Sequence, residues 1–357
     1  MYKVLHIGPD ATLQGGISSV IATYQANAEA FTKNGFALSF FSTYPFKGKK
    51  GFIKTIASTP AFLQAVQNSD LLHFHVASRG SFFRKLFYFI TGKIFQKKTL
   101  FHLHGAAFFE FMDNSSAPIQ KMIDIFLKNA DSVVTVSNEF KRELSSRIKL
   151  EKEIVVIPNS SPEFEAPLSL PIKPKACPEN YILFAGRLAE DKGLGELIEA
   201  ISILKKSGNS IKLVIAGNGE IAVWEALARK HNVFELIQFE GWVSGKEKIE
   251  LYLGCTLFCL PSHVESFGIS ALEAMLAKKP LVCTNIGGFL DLLIDGENGF
   301  SVNPKSPHSL AKHIKTLILD PELAAQMGNN GFDRAMKNFT TKIAMHKTIA
   351  CYENLVK

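Results

Sequence analysis

Pro261-Ser262-His263-Val264-Glu265-Ser266-Phe267-Gly268-Ile269-Ser270-Ala271-Leu272-Glu273-Ala274-Met275 is the stretch from which the fold of this chain can be read. The apolar run at residues 257–260 just before it has the length and composition of a buried strand. Phe267-Gly268 then opens an apolar helix. At 100° per residue Ala271, Leu272, Met275 and Leu276 share one face, and Glu273 is expected to point away from it. Glu265 falls in the loop between strand and helix, eight positions before Glu273. The backbone N–H groups of Phe267, Gly268 and Ile269 stand at a helix N-terminus, which favours an anion such as a diphosphate. Gly268 allows close backbone approach. One carboxylate in the loop and one on the first helical turn can accept hydrogen bonds from sugar hydroxyls. By themselves the same residues also fit a surface loop followed by an ordinary first-turn acid.

Four more turns of the same kind surround this one. Residues 182–185 read as a strand ending at Gly186-Arg187-Leu188, with Lys192-Gly193 before a helix at 195–204. Two cations beside a helix start suit a pyrophosphate, Arg187 as a fork and Lys192 as a point charge. Gly217-Asn218-Gly219 follows the strand at 212–216, Gly241-Trp242-Val243 follows 237–240, and Asn285-Ile286-Gly287-Gly288 follows 280–284. Trp242 and Val243 offer a flat apolar wall for a base. Any one such turn has a purely conformational explanation in its glycines. Five in this order place a ligand at the carboxyl ends of parallel strands.

With these motifs the chain resembles the retaining glycosyltransferases of family 4, the "group 1" family with the GT-B fold. Glu265 and Glu273 match its Glu-x7-Glu element, Gly186-Arg187-Leu188 with Lys192-Gly193 its phosphate element, and Gly217-Asn218-Gly219 its Gly-x-Gly turn. More loosely, Gly15-Gly16-Ile17 matches the loop near the donor phosphates and His104-Gly105 the sugar-facing position. The resemblance implies an α/β fold of two Rossmann-like domains with a cleft between them and a C-terminal helix crossing back to the first. The expected bounds are residues 1–165 with 340–357 for an acceptor domain, and 166–339 for a donor domain. It implies a sugar transfer with retention from a nucleotide-diphosphate donor, without a resident cofactor or metal. Glu273 would bind the ribose, Trp242 and Val243 the base, and Glu265 and His104 the sugar. Arg187, Lys192 and the amides of Gly15, Gly16, Phe267, Gly268 and Ile269 would face the diphosphate.

Size and composition agree with two domains: 357 residues, 46% hydrophobic and 20% charged. The apolar runs at residues 4–7, 38–41, 71–74, 100–103 and 133–136, with 154–157 as a last one, form a first set of strands. Those at 182–184, 212–216, 237–240, 257–260 and 281–283 form a second. Their alternation with helical patterns implies parallel sheets covered on both faces. Residues 160–180 hold Pro162, Pro167, Pro171, Pro174 and Pro178 and read as an extended linker. The five cysteines show no Cys-x2-Cys pair and fit free buried thiols in a reducing compartment. The first strand reads as too short for a secretory h-region, and no run of about eighteen uncharged apolar residues is present. A cytoplasmic location follows as the expectation.

His73-x-His75 and His102-x-His104 each set two imidazoles on one strand face, a spacing open to metal. With no acidic or thiol ligand nearby in sequence, no metal is expected, and His6 reads as structural. Net charge is +6 in residues 1–170 and +1 in residues 171–357. Residues 46–98 hold ten cations, among them Lys47, Lys49, Lys50, Arg79, Arg84 and Lys85, against the single acid Asp70. In the helix expected at 81–95, Phe83, Leu86, Phe87, Ile90 and Ile94 form a core face. The basic, aromatic composition further suggests peripheral contact with an anionic bilayer and a glycan or lipid-linked acceptor, as in cell-envelope polysaccharide synthesis. A plain solvated basic face is the alternative. No nucleic-acid-reading motif is present.

Other readings remain open. A nucleotide-sugar 2-epimerase or a non-catalytic sugar-nucleotide binder would share these motifs. An NAD-dependent dehydrogenase would need Gly-x-Gly-x-x-Gly after the first strand, which residues 8–16 do not supply.

Overall fold

The computed structural model of the chain describes residues 1–43, 48–165 and 180–357, and for residues 48–57 the backbone only. The chain divides into two compact units, Met1–Ser160 with Thr341–Lys357, and Ser161–Thr340. Unit one holds strands β1 (Tyr2–Gly8), β2 (Phe36–Ser42), β3 (Leu71–Val76), β4 (Lys98–Leu103), β5 (Ser132–Thr135) and β6 (Ile154–Val156). Unit two holds β7 (Tyr181–Ala185), β8 (Lys212–Ala216), β9 (Ile237–Gly241), β10 (Leu257–Leu260), β11 (Leu281–Thr284) and β12 (Gly299–Val302). Their orders are β2-β1-β3-β4-β5-β6 and β12-β11-β10-β7-β8-β9. Every strand pair is parallel. Helices connect the strands, as parallel pairing demands. Among the described residues no helix is long and apolar enough to cross a membrane.

Two elements differ from the sequence reading. The edge strand β12 was not expected, because Gly-Phe-Ser-Val is too short and mixed to show a strand period. Pro162–Glu165, expected as linker, is a helical turn. It is held because Phe164 is buried against Tyr252, ring centroids 5.1 Å apart. Residues 166–179 of the expected linker lie outside the described residues.

The larger correction concerns the helix Gly80–Ile94. Its buried side chains are Phe82, Lys85, Tyr88 and Phe89, with Thr91 and Gly92. Phe83, Phe87, Ile90 and Ile94, expected in the core, are 39%, 43%, 48% and 73% exposed. The sequence carries two apolar stripes on this helix, and packing selects the one with the smallest residue. A Cβ on Gly92 would lie 2.4 Å from Leu72 Cδ1, so the helix sits close to the sheet only along that line. Phe82 and Phe89 then meet Phe126 with ring centroids 5.7 and 4.6 Å apart.

This choice of face is testable by chemical denaturation. Phe89→Ala should cost about 3–5 kcal/mol as a core truncation. Phe87→Ala should change stability by no more than about 0.5 kcal/mol. The reverse ranking would return the core to the other stripe.

Candidate active site

In unit two the chain leaves the adjacent strands β7 and β10 toward opposite edges of the sheet. Their carboxyl ends therefore border the topological switch point, the ligand crevice of open α/β sheets. The turn after β7 carries Arg187 and Lys192, and the loop after β10 carries Glu265. Lys192 Nζ lies 2.8 Å from Glu265 Oε2 and 3.4 Å from the Val264 carbonyl oxygen. The two side chains are only 17% and 13% exposed. Glu265 Oε1 also accepts from the Ser266 amide at 3.1 Å. Arg187 is more open and pairs with Asp191 at 3.0 Å.

Backbone packing fixes this arrangement. Gly193 is left-handed, with φ 67°, and a Cβ there would stand 2.0 Å from the Pro261 carbonyl oxygen. On the other side a Cβ on Gly287 would stand 1.9 Å from the Glu265 carbonyl oxygen. The His263 amide donates to the Asp191 carbonyl at 2.8 Å, and the Gly288 amide donates to that of Glu265 at 3.0 Å. The Glu265 loop is thus gripped between the turns after β7 and β11.

Gly217 and Gly219 lie against the loop that carries Arg187: side chains there would collide with Gly186 and Leu188. Val243 is buried and Trp242 is 48% exposed just beyond β9. Phe267 is buried, Gly268 (φ 93°) caps the helix Ile269–Leu276, and the first amides of that helix have no partner within it.

Glu273 differs from expectation. It sits in the second turn of this helix and is 6% exposed, because every residue from Ala271 to Leu276 is buried. Lys248 Nζ donates to its Oε1 at 2.9 Å and Ser161 Oγ at 3.1 Å. Lys248 reaches Glu163 at 3.2 Å as well. Burial pulls the Lys248 ammonium down, but Glu273 and Glu163 beside it hold it above the usual lysine range. Lys248 and Ser161 carry no motif, and only the folded chain brings them to Glu273.

In unit one, Gly15 (φ 143°) precedes the helix Gly16–Ala26. His104 follows β4 and is 7% exposed, its Nε2 3.0 Å from His75 Nδ1. The two histidine pairs are not separate. The parallel register sets His6 beside His73 and His75 beside His102, so with His104 five imidazoles share one sheet face. Two trios, His6-His73-His75 and His75-His102-His104, bring one ring nitrogen each within 4.8 Å of the others. The sequence shows the two pairs one strand at a time; the register joins them with His6 in one cluster.

The basic stretch is divided too. Lys47 lies outside the described residues, as do the side chains of Lys49 and Lys50. Arg79 is exposed and pairs with Glu110 at 3.1 Å, and Arg84 is half-buried. Lys85, expected on the surface, is 1% exposed and donates to Thr43 Oγ1 at 3.0 Å. Burial, with Arg84 adding repulsion, lowers its pKa to about 7.

An unfolded Lys85 keeps the ordinary value of 10.5, so between about pH 7 and 10.5 the unfolded chain binds the extra proton. Stability should rise across that window in the wild type. Lys85→Met should flatten this rise, read as the difference between the two urea midpoints at each pH. Parallel profiles would mean that Lys85 stays charged in the fold.

Residues 170–334 match the family described as glycosyl transferases group 1, and residues 15–160 match glycosyltransferase family 4. Glycogen synthase of Mycobacterium tuberculosis is 31% identical over 228 residues, 63% of this chain and 55% of that protein. The capsular polysaccharide biosynthesis glycosyltransferase CapM of Staphylococcus aureus is 30% identical over 183 residues, 50% of this chain and 47% of that protein. The chain thus spans about half the length of these curated relatives. The Anabaena HepE structure in complex with UDP-glucose superposes with a TM-score of 0.76 at 18% identity, covering 99% of this chain and 100% of that one. At that identity the likeness speaks for the fold.

Proposed function

Because the chain belongs to the group 1, family 4 glycosyltransferases, we propose that it moves a sugar from a nucleotide-diphosphate donor to a glycan or lipid-linked saccharide, with retention of configuration. The observation that carries this reading is the partly dry Lys192–Glu265 pair at the switch point of the second sheet. A cation held there neutralises charge that grows on a departing diphosphate, and a site poor in water magnifies the effect. Arg187 adds a second positive charge, and the amides of Phe267, Gly268 and Ile269 add donors at a helix start. Glu265 orients the hydroxyls of the donor sugar. Glu273, held by Lys248 and Ser161, accepts from the ribose, and Trp242 with Val243 covers the base. Gly15 and Gly16 contribute amides, and His104 contributes a hydrogen bond to the sugar.

The acceptor is proposed to be presented at an anionic membrane surface, in cell-envelope polysaccharide synthesis. The exposed stripe Phe83, Phe87, Ile90 and Ile94, on the helix that Arg79 precedes, supports this reading. The capsular relative CapM points to the same kind of pathway. The reading calls for no protein-bound metal and a cytoplasmic enzyme, since nucleotide sugars are made there.

The HepE complex makes UDP-sugars the first donors to assay, followed by GDP- and ADP-sugars. Arg187→Ala and Lys192→Ala should each lower kcat/KM by about 10²-fold or more, with the unfolding midpoint retained. Glu265→Gln should depress kcat, whereas Glu273→Gln should mainly weaken binding of the free nucleoside diphosphate. Turnover near wild type in the Lys192 variant would remove the diphosphate assignment. An isomerised donor sugar formed without acceptor would turn the reading to an epimerase.

Sedimentation with vesicles tests the surface. Binding should need anionic lipid and weaken with salt, as charges are screened over about 8 Å at physiological ionic strength. Phe87→Ser with Ile94→Ser should release the protein while leaving donor hydrolysis unchanged. Equal binding to neutral vesicles, or none at low salt, would leave a plain solvated face.

A further inference from the structure

The buried histidine face of unit one is hydrogen-bonded from end to end, and Tyr352 is its middle member. Tyr352 comes from the helix Thr341–Val356 and is fully buried. Its hydroxyl lies 3.0 Å from His6 Nε2 and 2.6 Å from His73 Nδ1. One arm continues from His6 Nδ1 to His75 Nε2 at 3.0 Å, and from His75 Nδ1 to His104 Nε2 at 3.0 Å. The other arm runs from His73 Nε2 to His102 Nδ1 at 3.1 Å. Only the outer nitrogens, His104 Nδ1 and His102 Nε2, have no hydrogen-bond partner among the described residues. His102 also lines a cavity of about 10 Å³ with Tyr24, Asn159 and Ser160, room on the order of one water.

We infer that His104, His75, His6, Tyr352, His73 and His102 form one relay in which the tautomers of all five imidazoles are set together. A neutral imidazole carries one N–H and a phenol one O–H, so six groups bring six hydrogens to five contacts. Each contact holds one hydrogen, and one is left over. Every inner ring nitrogen is already in a contact. With the Tyr352 hydrogen inside the relay, the spare one must sit at an end. At His102 Nε2 it makes all five histidines Nε2–H; at His104 Nδ1 it makes all five Nδ1–H. Turning the Tyr352 hydrogen out of the relay would strand a buried donor and leave both ends bare, three unsatisfied groups in place of two. Passing between the two states takes up one proton at one end and gives one up at the other, each contact shifting its hydrogen by one place.

Burial keeps the imidazoles neutral, as the count requires. It lowers His6 and His104 to about 3, with Lys85 as a second cause at His104, and holds His73, His75 and His102 well below the ordinary value. The relay makes Tyr352 a positioning residue for His104: it ties the choice between a lone pair and an N–H at the end of β4 to the tautomers of the other four imidazoles. That consequence for a sugar hydroxyl rests on the function proposed above; the relay itself does not.

The test is long-range proton–nitrogen correlation NMR on the whole protein labelled with nitrogen-15 in histidine. His6, His73, His75, His102 and His104 are expected to show one common tautomer at neutral pH. Any mixture among them overturns the relay, including opposite tautomers on the two sides of Tyr352. Tyr352→Phe, which keeps the ring, should shift the nitrogens of His75 and His104 as well as those of His6 and His73. Shifts confined to His6 and His73 overturn it, and if the variant fails to fold the wild-type pattern alone decides. Conversion of His75, His102 and His104 to a metal-bound pattern by one equivalent of Zn²⁺ also overturns it. If His104→Gln transfers sugar as well as wild type while the wild-type tautomers agree, the transfer role of His104 falls and the relay stands.

Discussion

Backbone pressed against backbone, with no side chain between, is the constraint on which the second unit is organised. The Pro261 carbonyl oxygen fills the place of a Cβ at Gly193, and that of Glu265 fills the place of one at Gly287. The loop after β10 is therefore held from both sides by the loops after its neighbouring strands β7 and β11. The Lys192–Glu265 pair inherits its geometry from this grip. A partly buried ion pair gains little net stability against its desolvation, so its placement is better understood as preorganised charge than as structural glue.

Unit one meets a different demand. Five imidazoles lie buried on one face of β1, β3, β4 and the residue that follows β4. A buried polar group is tolerable when it is hydrogen-bonded, and here the histidines satisfy one another with help from Tyr352. The C-terminal helix is bound into the same layer, since Tyr24 and Thr348 bond at 2.9 Å beside it. Lys85 obeys the same rule nearby: its head group reaches Thr43 and Ser81, and desolvation moves it toward the neutral form. In this layer the five imidazoles and Lys85, which look basic in the sequence, are thus drawn toward their neutral forms.

The helix Gly80–Ile94 shows how amphipathic patterning can mislead. Its residues supply two stripes with helical spacing, and counting apolar positions favours Phe83, Phe87, Ile90 and Ile94. Contact distance decides instead, because only the stripe with Gly92 lets the helix come down on Leu72. The rejected stripe becomes an exposed apolar face beside cationic residues, a feature of the assembled unit that no local pattern distinguishes from a core.

Strand and helix periods, with glycine turns at the strand ends, were legible in the amino-acid sequence because they are local consequences of residue shape and spacing. They were enough for two parallel sheets and for the placement of Arg187, Lys192 and Glu265 on strand-end loops. The edge strand β12 was not, since four mixed residues carry no period and pair only because β11 is already there. The surroundings of Glu273 were not legible either: Lys248 and Ser161 are 25 and 112 positions away from it. The joining of His6, two His-x-His pairs and Tyr352 required strand register and a helix 346 positions from His6 at the Tyr352 contact. Local sequence determines which conformations a segment prefers. Which groups lose water together, and so which charges persist and which tautomers are allowed, is decided only when distant segments close over them.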